Sequence, residues 1–208
     1  MDAAVTGPLR GPLRKRDSHL WARHPDDWYV EPPWVSERLF EVEKFDGDIH
    51  DPSCGLGNIV RSARAAGYVA TGSDIVRRSE YCLWLRNWLE PDAFDGPFKN
   101  IGSNPPFKLC DDRKAGTHPY VERCLERASG KVALLMPSNW VQGDKRSRWL
   151  ETTPLARIYY ISPRPSMPPG PALEAGMKPG NGTTDYAWFI WEHGHTGGPV
   201  TRWLRRNP

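Results

Sequence analysis

The stretch D-I-H-D-P-S-C-G-L-G, residues 48–57, sets the reading of this chain. D-I-H-D reads as a short strand ending at Asp51. Pro52 to Gly57 then form a tight turn, because glycine admits left-handed backbone angles and lets the main chain approach a ligand closely. I-V-R-S-A-R-A-A (59–66) has helical character and stops at Gly67. Y-V-A-T-G-S-D-I (68–75) is strand-like and ends in a second acid, Asp74, 17 residues after Gly57. Strand, glycine turn, helix and strand open a doubly wound α/β sheet. The end of the second strand is where such nucleoside sites place the carboxylate that accepts ribose hydroxyls. One G-x-G recurs by chance in many loops. No further glycines follow in dinucleotide spacing and no G-K-[ST] follows, so the turn suits a nucleoside without a pyrophosphate.

Outward from this unit the alternation continues. A helix is expected around Trp34–Lys44, entered through Pro32-Pro33. Residues 79–89 are assigned to a helix, with Tyr81, Leu83, Trp84, Leu85 and Trp88 as its apolar surface. K-N-I-G-S-N (99–104) is a short strand running into S-N-P-P-F (103–107). Thr117 caps a helix reaching Ala128. V-A-L-L-M (132–136) has the continuous apolar character of a central strand buried on both faces. R-I-Y-Y-I (157–161) and Y-A-W-F-I-W (186–191) are further strands. Residues 162–184 between them are rich in proline and glycine and read as a long loop. The expected fold is α/β: a doubly wound, mostly parallel seven-stranded sheet with helices on both faces. A flexible basic arm (1–23, with two G-P-L-R copies) is expected to precede a single domain (24–208). Ligands in such sheets lie beyond the carboxyl ends of the strands, where Asp51–Gly57, Asp74 and Asn104–Phe107 fall.

With 208 residues, 38% hydrophobic and 25% charged, the chain reads as soluble and globular. No apolar run approaches the ~20 residues of a membrane span, so no membrane partner is expected. An N-terminus without a signal peptide's apolar centre makes a cytoplasmic location the expectation. Cys54, Cys82, Cys110 and Cys124 form no C-x-x-C pair, and neither they nor His118 have zinc spacing, so neither disulfides nor a metal are expected. His193-Gly194-His195 reads as an exposed pair. Net charge is only +3, but the cations are grouped: Arg10, Arg14, Lys15, Arg16 and Arg23; Lys145, Arg146 and Arg148; Arg202, Arg205 and Arg206. Such groups suit a phosphate-backbone partner, although each alone is also ordinary surface charge. Most of the ten tryptophans are expected in the core, with Trp140 as a cleft wall. A monomer or weak dimer is expected.

Taken together, D-P-S-C-G-L-G, the downstream acid and S-N-P-P-F resemble the S-adenosylmethionine-dependent amino-methyltransferases, and most closely the small phage-type DNA N6-adenine methyltransferases. The resemblance runs from about residue 26 to 191, with W-Y-V-E-P-P-W (28–34) upstream and D-Y-A-W-F-I-W (185–191) at the last strand. It implies S-adenosylmethionine as cofactor and DNA as substrate. Tyr29, Glu31 and Pro32 would lie near the methionine moiety, although the family more often has threonine where Glu31 stands. Asp51 would bind the amino group, Pro52, Cys54, Gly55 and Gly57 would shape the turn, Asp74 would hold the ribose, and Ile75 would pack on the adenine. Asn87 occupies the place of an acid that touches the adenine in relatives; Asp92 and Asp95 are the other candidates for that contact. Asn104, Pro105, Pro106 and Phe107 would be catalytic, with Asn104 also touching the cofactor.

The physical logic of N-P-P-F is an acceptor pair. An exocyclic amine on adenine is a poor nucleophile, because its lone pair is delocalised into the ring. The Asn104 side-chain carbonyl and the Pro105 backbone carbonyl, held in direction by the two prolines, can accept both N–H groups and free that lone pair. Phe107 would offer a face on which a flipped base stacks. The same motif serves other planar amines: N4 of cytosine, adenine in RNA, or a protein glutamine. A nucleic-acid-binding scaffold that has lost turnover is a further alternative, raised by Asn87 and Glu31.

Overall fold

The computed structural model describes residues 26–91, 97–180 and 182–207. The expected arm, its basic group, and Asp92 and Asp95 lie outside the described residues. Helix α1 (Pro33–Val42) starts at a proline, which is tolerated there because first-turn N–H groups have no helical partner. Strand β1 (Ile49–Asp51) feeds the glycine turn, and helix α2 (Asn58–Ala65) follows it. Gly57, the residue before α2, has φ 80°, and a side chain there would collide with the Tyr81 ring. Strands β2 (Ala70–Asp74), β3 (Cys82–Leu85) and β4 (Asn100–Ser103) follow, then helix α3 (Pro119–Arg127) and strand β5 (Lys131–Pro137). Helix α4 (Asp144–Leu150), strand β6 (Leu155–Ser162), helix α5 (Gly170–Glu174), and strands β7 (Tyr186–Glu192) and β8 (Val200–Arg205) complete the order.

The strands form one sheet of eight, ordered β3-β2-β1-β4-β5-β7-β6-β8. β7 runs antiparallel between β5 and β6, and the other ladders are parallel. Helices cover both faces. On one side α1 and α2 meet Ala133 and Leu135 of β5 and Trp188 and Ile190 of β7. On the other, α3 meets Val132, Leu134 and Met136 of β5 with Ala187, Phe189 and Trp191 of β7. Successive residues of β5 and β7 thus serve opposite cores, which is why both read as unbroken apolar runs.

Eight strands replace the expected seven, and residues 79–89 are not a helix. Cys82–Leu85 pair with the free edge of β2. Cys82 is buried while Leu83 and Leu85 point out, a period of two that a strand satisfies and a helix does not. The Arg77 guanidinium fixes the entry by donating to the Cys82 and Leu83 carbonyls. β8, at the chain's basic end, pairs with β6 along its whole length, and the 162–184 loop contains the short helix α5. Among the described residues no helix is long and apolar enough to cross a membrane, and no group of three or more His, Cys, Asp or Glu could hold a metal. The four cysteines are buried and free.

At the amino end of β5, Glu43 is almost wholly buried. Its carboxylate accepts from Lys131 Nζ (2.6 Å), Arg157 Nε (2.7 Å) and Nη2 (2.8 Å), and Tyr159 Oη (2.9 Å). Glu192 pairs with Arg157 at 2.5 Å. This network ties the end of α1 to β5, β6 and β7, at the opposite end of the sheet from the glycine turn.

Candidate active site

The strand order reverses between β1 and β4, the position at which a doubly wound sheet opens a crevice at its carboxyl ends. An open cleft lies there. Of the residues expected in the site, Tyr29, Glu31, Asp51, Pro52, Cys54, Gly55, Asp74, Ile75, Asn87, Asn104 and Pro106 line it. Pro32, Gly57, Pro105 and Phe107 are absent from that lining. Pro32 leads into α1 and Gly57 supports the turn from beneath. Pro105 is buried. Phe107 is half-buried and packs on Tyr186, with ring centroids 6.0 Å apart.

Asp51, at the end of β1, is held by its neighbours. Its Oδ1 accepts from the Ser53 N–H (3.1 Å) and from Ser103 Oγ (2.7 Å). The Tyr120 hydroxyl lies 2.8 Å from Ser53 Oγ and 3.2 Å from Ser103 Oγ. Asp74 Oδ2 accepts from the Gly55 N–H (2.9 Å), so the second acid fixes the glycine turn of the first. Its Oδ1 accepts from the Val76 N–H (3.2 Å) and pairs with Arg78 (3.0 Å). Arg78 also pairs with Asp26 (3.1 Å) and lies over the Trp28 ring at 4.4 Å.

Asn104 has a defined orientation. Its Nδ2 donates to the Tyr29 carbonyl and to Glu31 Oε2, both at 2.8 Å. The Tyr29 carbonyl can only accept, as can the Glu31 carboxylate when ionised, so in that state the amide nitrogen faces them and the carbonyl oxygen faces away. No residue among those described donates to that oxygen. In the following turn Leu109 N–H donates to the Pro106 carbonyl and Cys110 N–H to that of Phe107, which leaves the Pro105 carbonyl out of the backbone hydrogen bonding of the turn.

The same architecture occurs in solved structures. A Listeria monocytogenes protein assigned as a class I S-adenosylmethionine-dependent methyltransferase matches with TM-score 0.55 and 14% identity over 86% of this chain and 67% of that one. The modification subunit of a protein assigned as a type I restriction enzyme from Vibrio vulnificus matches with TM-score 0.55 and 13% identity, covering 83% of this chain and 45% of that one. The type I restriction enzyme EcoKI M protein matches with TM-score 0.54 and 13% identity, covering 79% and 44%. The chain has the class I methyltransferase fold. It spans about two thirds of the Listeria protein and less than half of the two restriction subunits. No family profile matches the sequence, and no curated protein matches it.

On this methyltransferase fold the cleft is electrostatically polarised. Burial raises the Asp51 carboxyl well above the usual range, against the Ser103 hydrogen bond, and the charges of Glu31 and Asp74 add to the rise. Burial raises Glu31 to about 7, although its own backbone, the Asn104 amide and Arg61 act the other way. Arg61 comes from α2, where it donates to Asn58 Oδ1. Asn87 lines the cleft, but its side chain closes a local turn, accepting from the Leu89 N–H and donating to Glu90.

Several site residues escaped the sequence reading. Tyr120 shows there only as part of an apolar helix face, yet its hydroxyl is the one that braces Ser53 and Ser103. Asn58 donates to the Glu31 carbonyl at 2.8 Å, and the Lys108 N–H donates to Asp27 Oδ2 at 2.7 Å. Trp28 fills the space above Gly55 and Gly170. Trp140, expected as a cleft wall, belongs instead to the core beneath, edge-on to Trp149 and Phe189. Arg146 is likewise turned inward, onto Asp111 (2.5 Å) and the Trp140 carbonyl. It therefore leaves the basic group, while Lys145 and Arg148 stay exposed.

Proposed function

We propose that the chain transfers a methyl group from S-adenosylmethionine to the N6 amine of adenine in DNA. The observation that carries this reading is the Asn104 carboxamide, which lines the cleft at the mouth of the Asn-Pro-Pro-Phe turn: its Nδ2 is held by two protein acceptors, and its oxygen accepts from no described residue. An acceptor there, beside an unused proline carbonyl, is suited to a planar amine with two N–H groups to bind.

The residues present fit the cofactor. A carboxylate has about four acceptor positions, and three donors already sit on Asp74, which leaves one for a ribose hydroxyl; a second hydroxyl would displace Arg78. Arg78 keeps Asp26 and the Trp28 ring when that happens. Asp51 Oδ2 accepts no hydrogen bond among the described residues and would take an ammonium group. When bound, S-adenosylmethionine supplies a methyl carbon on a sulfonium, which leaves as a neutral thioether. The protein's part is to hold the amine nitrogen in line, with Asn104 Oδ1 and the Pro105 carbonyl each accepting one N–H. That drains the lone pair back onto nitrogen, and after transfer the amine releases one proton to solvent water. Alignment of this kind is worth several kcal/mol.

DNA as the substrate is supported by exposed cations on the loop that leaves the cleft at Lys108. Lys108, Arg113 and Lys114 lie on the 108–118 loop, and Gly116 of that loop lies against the Lys145 side chain. The two restriction-modification subunits with this fold point the same way. The test is incubation with methyl-labelled S-adenosylmethionine and unmethylated duplex DNA, digestion to nucleosides and mass analysis. Label on N6-methyl-2′-deoxyadenosine is the expected result. Label on N4-methylcytosine moves the target and keeps the acceptor pair, whereas no label on DNA overturns the substrate. Asp74→Ala is expected to weaken cofactor binding by about 10–100-fold in calorimetry, the loss of hydrogen bonds to a charged group. Unchanged affinity would remove Asp74 from the site.

A further inference from the structure

Among the acids of the cleft, Glu31 is buried against Asn104 and is not required by the proposed reaction. Glu31 is 6% exposed and makes no ion pair among the described residues. Burying a carboxylate without a cation in contact is costly, so a retained one needs an account. Its only hydrogen bond from another side chain among the described residues is the one from Asn104 Nδ2 at 2.8 Å. A carboxamide has two orientations of similar shape, and in this cleft only one of them presents its oxygen to an incoming amine. The Tyr29 carbonyl engages one N–H of Asn104. The second N–H needs a second acceptor, and Glu31 is placed to be it.

We propose that Glu31 is a positioning residue: its ionised carboxylate, together with the Tyr29 carbonyl, locks the Asn104 carboxamide with its oxygen toward the cleft. The inference rests on the reading above for the identity of the reaction, while the geometry of the lock is independent of it. A charge-assisted hydrogen bond is about twice as strong as a neutral one. A protonated Glu31 also gains an O–H that can donate to a flipped Asn104 oxygen. The charged groups facing Glu31 are Arg61 from α2 and Asp51 from β1; Asn58 and Asn104 face it uncharged. Burial places its titration at about 7, so the lock engages as pH rises through neutrality.

The decisive measurement is by NMR on protein labelled with ¹⁵N-asparagine, the Asn104 side-chain NH₂ pair being identified by its loss in Asn104→Ser. In the wild type that pair is expected to shift between pH 5 and 9 with a midpoint near 7; in Glu31→Gln, which keeps an acceptor oxygen but cannot ionise, it is expected to stay flat. Turnover should rise through the same midpoint in the wild type and lose that limb in Glu31→Gln. Glu31→Ala should lower kcat by about 10²-fold above that midpoint, as misplacement of a reacting group does, with the difference from wild type shrinking as pH falls below it and cofactor affinity changed far less. Asn104 resonances that ignore pH in the wild type would overturn the proposal, as would equal turnover of the Gln and Ala variants. If no substrate is methylated at all, the proposed reaction fails while the NMR titration still decides the lock.

Discussion

Asn104→Ala is expected to lower single-turnover methyl transfer by about 10²–10³-fold, the usual consequence of removing one preorganised group from a developing charge. Cofactor affinity should change far less, since Asp51 and Asp74 remain. The substitution removes the oxygen at the cleft and also strips Glu31 of its hydrogen bond. The Asn104→Ala fold is therefore left with a buried acid that has lost one of the interactions favouring its ionised form, and Glu31 should titrate higher still. Single-turnover rates with calorimetric cofactor binding separate the two effects. Undiminished transfer would show that the acceptor pair is not the source of catalysis.

Glu43→Ala is expected to cost about 3–5 kcal/mol of folding stability, the cost of breaking a buried charged network from one side. Lys131 and Arg157 would each lose their main partner. Urea unfolding at pH 7 measures this, and a loss under about 1 kcal/mol would mean that solvent replaces the carboxylate, as at surface pairs. The pH dependence has a definite sign. Burial alone would raise Glu43, but hydrogen bonds from Arg157, Lys131 and Tyr159 hold it below its ordinary value. Its stabilisation is thus present above the unfolded carboxylate pKa and is lost as pH falls through the folded one.

Glu31 has the opposite sign. Its carboxyl is raised from 4.5 to about 7, so the folded state binds the proton more tightly than the unfolded chain, and stability falls as pH rises across that window. The size is about 3 kcal/mol. Glu31→Gln should therefore unfold at a higher temperature than the wild type at pH 8 and at nearly the same temperature at pH 5. Two buried glutamates near the ends of one helix thus do opposite things: Glu43 holds the sheet together, and Glu31 weakens the fold where Asn104 has to be aimed.

The parts of this molecule that were legible in sequence are those with local signatures. Asp51, Gly55, Gly57 and Asp74 sit where a strand–turn–helix–strand unit puts them, and β5 and β7 were visible because burial on both faces leaves no polar alternation. Residues 79–89 misled because Tyr81, Leu83, Trp84, Leu85 and Trp88 give apolar surface without a clean period, and the free edge of β2 decided the outcome. Arg146 looked like surface charge until Asp111 came within reach from another loop. The hydrogen bonds on Asn104 come from residues 73 and 75 positions away, and the brace on Ser103 comes from Tyr120, 17 positions away. No spacing rule relates such pairs; only the folded sheet brings them together.

The wall formed by residues 28–31 is attached at both ends. The Val30 N–H donates to the Pro168 carbonyl (3.0 Å) and the Gly170 N–H to the Trp28 carbonyl (3.1 Å), while Tyr29 and Glu31 grip Asn104. In mechanical terms it is a beam built in at two supports, not a flap on one hinge. A load applied to the 162–184 loop is delivered through three residues of main chain to the Asn104 carboxamide. Whatever displaces Pro168–Gly170 therefore also moves the frame in which the amide is aimed.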